Sequence, residues 1–479
     1  MVSALIGIRP AARITTRKPQ GTASLLLCPQ GISSCRGYRP VSDRRRAGVR
    51  LLPRRYWGHP GRCLAHRADP CCVAETLIPV RAPCLLPFVL TAVVACSSAE
   101  PASFEQAIAQ GRFSINARLR HEGVEQTGLR DAAAFTLRTR LGYATAPFQG
   151  WRLMVEAENV IAADGDAYSQ AGLNAGGAGR AVISDPETTE LNQAFVAYES
   201  GGTTVTVGRQ RIVIDNARFV GEGAWRQNQQ TFDALLVQDR RFKATTLTYG
   251  YNNRVHRSVG DRHPQGNWAS SSHLFNASWA GAKAGTFAGY GYLLDLPGSR
   301  ANSCATYGAS FSGSPALSRD LRLLHRVEFA RQSDHGSSPL AYTAHYHALE
   351  LGLSVPAGSL VLGHERLGAD RTAAFRTPIA TLHPFNGWAD VFSTTPAAGL
   401  RDGYVRVSAN LPAAFTCNVM YHRFTLDRGG THAGDEWDFQ LIRRFSAAWT
   451  LMAKHADFRR ASPAFPDVRK FWLQVEFVR

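Results

Sequence analysis

An all-β fold is predicted here: a transmembrane antiparallel β-barrel of about 18 strands, with short periplasmic turns and long extracellular loops. Three observations predict it. Apolar and polar residues alternate with period two in segment after segment from Gly111 onward, which is the mark of a strand with two unlike faces. Tight and long connections take turns along the chain, the rhythm of outer-membrane barrels. No run of 18 or more apolar residues occurs, so an ordinary helical span is excluded, whereas alternating strands cross lipid at low mean hydropathy.

The clearest alternation lies between Ala134 and Ile161. Phe135, Leu137, Leu141 and Tyr143 share one face, with Arg138 and Arg140 on the other. A break at Ala146-Pro147-Phe148-Gln149-Gly150 has turn chemistry. Trp151, Leu153, Val155 and Ala157 then resume the apolar face, opposite Arg152, Glu156 and Glu158. Extended down the chain, the same reading gives strands at 113–121, 134–145, 151–161, 189–199, 203–210, 231–239, 242–252, 272–281 and 285–295. It continues with 304–313, 320–332, 342–354, 358–367, 403–411, 414–426, 435–445, 448–458 and 470–478. Most are close to the roughly 9–11 residues a tilted strand needs to cross a bilayer. The long connections include 162–188, 211–230, 253–271 and 368–402; the tight ones include Gly201-Gly202, Pro356-Ala357 and Pro412-Ala413. Backbone groups in lipid must all be paired, which demands closure.

Face by face, Phe113, Ile115 and Leu119, Val405, Val407 and Leu411, Trp437, Phe439 and Leu441, and Trp449 and Leu451 are expected to point outward. Tyr143, Trp151 and Trp449 near strand ends suit an interfacial girdle. The last strand alternates through Phe471, Leu473, Val475 and Phe477, although Val478-Arg479 follow the final aromatic.

The first hundred residues differ. Residues 1–79 are rich in Arg, Pro and Cys without a sustained period, and read as a non-globular or spurious extension. Residues 80–99 read as a signal peptide: Arg81, an apolar run Leu85–Ala95, then small residues with cleavage after Ala95 or Ala99. Val93-Val94-Ala95-Cys96 also resembles a lipoprotein box. A leader buried behind some eighty residues would work poorly, so a biological start at Val80 is expected. Residues 100–479 form the barrel. The net charge of +17 belongs largely to the leader region, because residues 1–99 hold 15 Lys+Arg and 3 Asp+Glu; the remaining 39 basic and 34 acidic residues leave +5. Four of those 39 are lysines, Lys243, Lys283, Lys454 and Lys470. Arginine forks bind carboxylates bidentately and lysine does not, although a GC-rich genome also favours Arg codons. Beyond Cys96 only Cys304 and Cys417 remain, which is no disulfide framework.

Four stretches resemble the alginate-export family of outer-membrane porins: Thr189–Ala194 (TELNQA), Gly208–Ala234 (GRQRIVIDNARFVGEGAWRQNQQTFDA), Ile379–Leu400 (IATLHPFNGWADVFSTTPAAGL) and Lys470–Gln474 (KFWLQ). The resemblance runs from about Gly111 to the C-terminus. It implies an eighteen-stranded barrel carrying polar or anionic solutes, alginate being the best-known cargo, and a monomer.

If the apolar face meets lipid, the other face lines the pore. Arg118, Arg120, Arg138, Arg140 and Arg152 then gather on one wall beside Glu156 and Glu158, and Arg322, Arg326 and Arg406 add to it further round. Basic rings favour anions; the alternative is that Arg–Glu pairs simply brace the wall. Two long loops are too apolar to lie idle. The first carries Ile212, Val213, Ile214, Phe219 and Trp225 with Arg211, Arg218 and Arg226; the second carries Phe375, Phe385, Trp388 and Phe392 with Arg376 and Asp390. Both are expected to fold inward and narrow the pore.

His345 and His347 share a strand face, but no third metal ligand is evident. No phosphate loop, zinc spacing or nucleophile motif occurs, so neither metal, cofactor, nucleic acid nor catalysis is expected. The expected partners are outer-membrane lipid, an anionic or sugar solute, and the periplasmic barrel-assembly machinery. A non-conducting receptor or adhesin barrel, a barrel-embedded hydrolase and a soluble propeller are the competing readings.

Overall fold

The structure, a computed structural model, describes residues 100–479; the expectations for 1–79 and 80–99 lie outside the described residues. A short helix α1 (Phe104–Ala109) leads into eighteen strands. These are β1 (Arg112–Gln126), β2 (Ala132–Ala144), β3 (Trp151–Ala162), β4 (Thr188–Ser200), β5 (Thr203–Gln210), β6 (Thr231–Asp239), β7 (Thr245–His256), β8 (Asn267–Ala282) and β9 (Gly285–Leu294). They continue as β10 (Cys304–Gly313), β11 (Arg322–Asp334), β12 (Thr343–Val355), β13 (Gly358–Leu367), β14 (Leu400–Leu411), β15 (Phe415–Thr425), β16 (His432–Arg444), β17 (Trp449–Arg460) and β18 (Val468–Val478). Each pairs antiparallel with its neighbour in sequence, and β1 pairs with both β2 and β18, so the sheet closes. Closure removes the edges that lipid could not solvate. Among the described residues no helix is long and apolar enough to cross a membrane.

The faces follow the alternation. Phe113, Leu119, Phe135, Leu141, Trp151, Val155, Val407, Leu411, Trp437, Phe439, Leu441 and Trp449 all lie exposed on the outer wall. At the short-turn end, aromatic pairs cross neighbouring strands: Phe113 with Tyr143, Trp151 with Tyr198, and Trp449 with Phe477, with ring centroids 4.7–4.8 Å apart. Amphipathic rings in such a belt sit at headgroup level. The chain after Phe477 is not loose, because Arg479 and Ile115 exchange backbone hydrogen bonds across the closing seam.

Strand ends near the long loops extend past their predicted limits. β1 reaches Gln126 rather than 121, and β8 begins at Asn267 rather than 272. Above the lipid the outward residues turn polar, so the hydrophobic half of the alternation fades while pairing continues: Glu125 still faces Arg469.

Candidate functional site

The barrel interior is filled largely by two loops, 211–230 between β5 and β6 and 368–399 between β13 and β14. Their apolar residues are what water would otherwise meet, and Ile212, Ile214, Phe219, Phe375, Trp388 and Phe392 are buried. Trp225 and Phe385 are part-buried, and Val213 is half-exposed. Phe219 packs its ring against Tyr290, Tyr292, Tyr346 and Phe375. The loops are also tied to each other: Val220 pairs with Ile379, Gly221 donates to the Ile379 carbonyl, and Thr381 donates to the Ala217 carbonyl. Gly387 sits at φ 82°, where a Cβ would stand 2.3 Å from a Glu436 carboxylate oxygen, so the turn of the second loop requires glycine.

Arg118, Arg120, Arg138 and Arg140 all face inward, yet Arg118, Arg120 and Arg140 meet the first loop rather than open water, and Arg138 is buried against Asn116 and Glu476. Arg118 Nη1 donates to the carbonyls of Ala224, Trp225 and Arg226 at 3.1–3.3 Å. Arg120 Nη2 donates to the Trp225 carbonyl at 2.6 Å, and its guanidinium lies 4.3 Å over the Trp225 ring. Arg140 reaches the Gln227 carbonyl. Carboxylates balance the charges: Glu476 accepts from both Arg118 and Arg138 at 3.0 Å, Asp185 pairs with Arg120, and Glu158 pairs with Arg140. Arg118 and Arg138 stand directly opposite each other in the ladder, a like-charge pair that Glu476 bridges. Glu156 takes hydrogen bonds from Asn192 and Gln193, which a bulge turns inward together. Arg152 and Arg322 face inward at the short-turn mouth and are exposed.

Across the lumen stands an acidic wall on β12–β16: Glu350, Glu365, Asp402, Glu436 and Asp438. Arg218 crosses to it, with Nε 2.7 Å and Nη2 3.0 Å from the two Glu365 oxygens, and lies over Phe385 at 4.7 Å. Arg406 pairs with Glu350 at 3.3 Å, and Arg326 pairs with Glu328 on its own strand. Arg211 is half-exposed and pairs with Glu222 at 3.5 Å.

The loops meet the wall at a compact knot. Asp390 accepts from Arg226 at 2.8 Å, Lys470 at 2.9 Å and His383 Nδ1 at 2.8 Å. His383 stacks on Trp225 with centroids 4.1 Å apart, and its Nε2 lies 2.6 Å from Lys454 Nζ. The Lys454 ammonium sits over Trp388 at 3.6 Å and Trp225 at 4.2 Å. Burial and the Lys454 charge push the His383 pKa well below its ordinary value, so the ring is neutral. Burial opposes ionisation of Asp390, but Lys470, His383 and Arg226 together hold its pKa well below the usual carboxylate range.

Several of these partners escaped the sequence reading. Glu365, Glu436, Asp438 and Lys454 fall on inward positions of strands already recognised, so period two alone could have found them; Asp402 lies one residue before the expected start of its strand, which begins at Leu400 instead. Glu476, Asp185 and His383 become partners only through long-range closure and loop docking. His345 and His347 point outward, flanking inward Tyr346, and among the described residues no group of three metal-ligating side chains forms.

A closed eighteen-strand barrel with a lipid-facing apolar wall and a charged interior defines an outer-membrane channel of the porin type, passing polar or anionic solutes. More particularly, residues 109–290 match the family model described as alginate export. That segment runs from α1 into β9, the half of the barrel that carries the arginine wall. Solved structures share the fold. OpdK of Pseudomonas aeruginosa, solved with vanillate, superposes at a TM-score of 0.61 and 14% identity, covering 78% of this chain and 99% of that one. OccAB3 of Acinetobacter baumannii gives 0.62 and 13%, covering 78% and 100%. OccK9 (OpdG) of P. aeruginosa gives 0.61 and 14%, covering 78% and 100%. No curated protein matches by sequence.

Proposed function

We propose that this channel selects anions and carries carboxylate-bearing solutes, with acidic polysaccharide of the alginate kind as the leading cargo. The observation that carries the reading is the arginine wall of β1 and β2. Guanidinium forks match carboxylates in shape and charge, and low-dielectric walls strengthen the field they set up. In the docked arrangement, loop carbonyls from Ala224 to Gln227 occupy the donors that a solute carboxylate would take. Lifting the first loop exchanges one set of acceptors for the other. Arg152 and Arg322 continue the basic track at the periplasmic mouth. Vanillate, present with the OpdK barrel, is itself a carboxylate.

The reading includes transport without catalysis, a monomer inserted by the barrel-assembly machinery, and removal of a leader covering 80–99. Planar-bilayer recording under a KCl gradient tests the selectivity. A reversal potential toward the chloride equilibrium value is expected, with block by an oligouronate. A potassium-selective channel would sink the anion reading, and a folded barrel without conductance would favour the receptor alternative.

A further inference from the structure

On the long-loop side of the knot, two adjoining cavities of about 200 and 250 Å³ share Arg257, Pro378, Leu382, Ser393 and Thr394 in their walls. Each is close to the lower end of the roughly 300–1,000 Å³ of small-molecule sites. Their cations differ from those of the barrel wall. Arg226 in the first cavity is neutralised by Asp390 and Glu122. Arg257 and Arg376, both lining the second, make no ion pair among the described residues. Arg257 donates to the Gln265 carbonyl and lies 4.2 Å over the Trp268 ring; Arg376 donates to the Ala301 carbonyl. Burial without a neighbouring carboxylate lowers the Arg257 pKa. The one carboxylate in these walls, Asp390, already has three partners. Hydroxyls of Ser258, Thr377, Thr381, Thr394 and Thr395 complete the lining.

A half-buried guanidinium left without a counter-ion is costly unless an anion reaches it. We propose that the outer vestibule is a binding site for a hydroxylated carboxylate, a uronic acid residue at the end of a saccharide chain. Arg257 and Arg376 take the carboxylate and the surrounding hydroxyls take the sugar. The site is separate from the arginine wall, whose guanidiniums are already engaged. It rests on the reading that anionic solutes use this barrel, and it locates where such a solute is held on the extracellular side of the docked loops.

Calorimetric titration of the detergent-solubilised full-length protein, with the loops in place, tests it. Trigalacturonate is expected to bind and maltotriose, equal in length but uncharged, is not. Arg257→Ala and Arg376→Gln should each weaken trigalacturonate roughly ten-fold or more, the loss of a charge-assisted hydrogen bond. Arg319→Ala, on a short turn at the far end, should leave the affinity as it was. Each variant is first checked for heat-modifiable migration, so that misfolding is not read as lost binding. Equal affinity in wild type and both vestibule variants overturns the proposal, as does equal binding of maltotriose. Conductance separates the two readings: anion-selective current without trigalacturonate binding removes the vestibule site alone, whereas vestibule-dependent binding with cation-selective current removes the anion channel alone.

Discussion

At the residue scale, two groups decide how firmly the interior is held. Glu476 is the shared acceptor of Arg118 and Arg138, which face each other in the ladder. Glu476→Gln would leave two guanidiniums opposed with one charge fewer between them. Removing one partner of a buried pair costs about 3–5 kcal/mol. A lower melting temperature in detergent is therefore expected, together with stronger chloride selectivity in bilayers. His383 gives a pH dependence. Burial, with the Lys454 and Arg226 charges, lowers its pKa in the docked state against the opposing pull of Asp390, whereas an undocked imidazole titrates near 6.5. The undocked loop therefore binds the additional proton, and docking weakens as pH falls below about 6.5. The depressed pKa of Asp390 keeps it ionised, so its pairs with Arg226 and Lys470 survive that interval. Conductance should rise between pH 7.5 and 5.5, and His383→Gln should flatten the profile; a wild-type profile that is already flat would remove His383 as the sensor.

At the element scale, the two inward loops behave as one plug because each holds the other. The first is anchored on the basic wall through its carbonyls, and the second on the acidic wall through Asn386, Trp388 and Ala389, whose amides meet Glu365, Asp438 and Glu436. Arg218 joins the first loop to the second loop's wall. Deleting 380–395 removes the Thr381, His383 and Asp390 contacts at once, so single-channel conductance should rise several-fold; an unchanged value would mean that this segment does not limit the current. Arg218→Ala should act in the same direction but more weakly, read as more frequent open events, since the Val220–Ile379 pairing remains. The inward course of the loops was legible because aromatics and arginines recur through 211–230 and 375–392 where an exposed loop would be polar. The pairs that hold them were not, because Trp225 on His383 or Arg226 on Asp390 joins positions more than 150 residues apart. Likewise, the sequence displayed the arginines of β1 and β2 as a face, but not the loop laid across them.

At the scale of the whole molecule, barrel and plug draw on different interactions. The eighteen-strand ladder is backbone pairing closed by β1 with β18, and it was readable because period two and alternating loop lengths are local signals repeated many times. The plug is side-chain pairing, specified once and at long range. The two should therefore fail separately. A protein lacking 380–395 should keep heat-modifiable migration on gels, because every ladder bond remains and only interior contacts are lost. Removing Val468–Arg479 should abolish it. That deletion takes away β18, exposes the edges of β1 and β17, and leaves unpaired amides and carbonyls where lipid offers no partner. The same cut removes Lys470, Trp472 and Glu476 from the interior, so the arginine wall and the knot lose their acceptors and cage together. If the 380–395 deletion instead lost its heat-modifiable form while keeping β18, the plug would be part of the barrel's stability rather than its occupant, and the separation between wall and gate argued from the hydrogen bonds would be wrong.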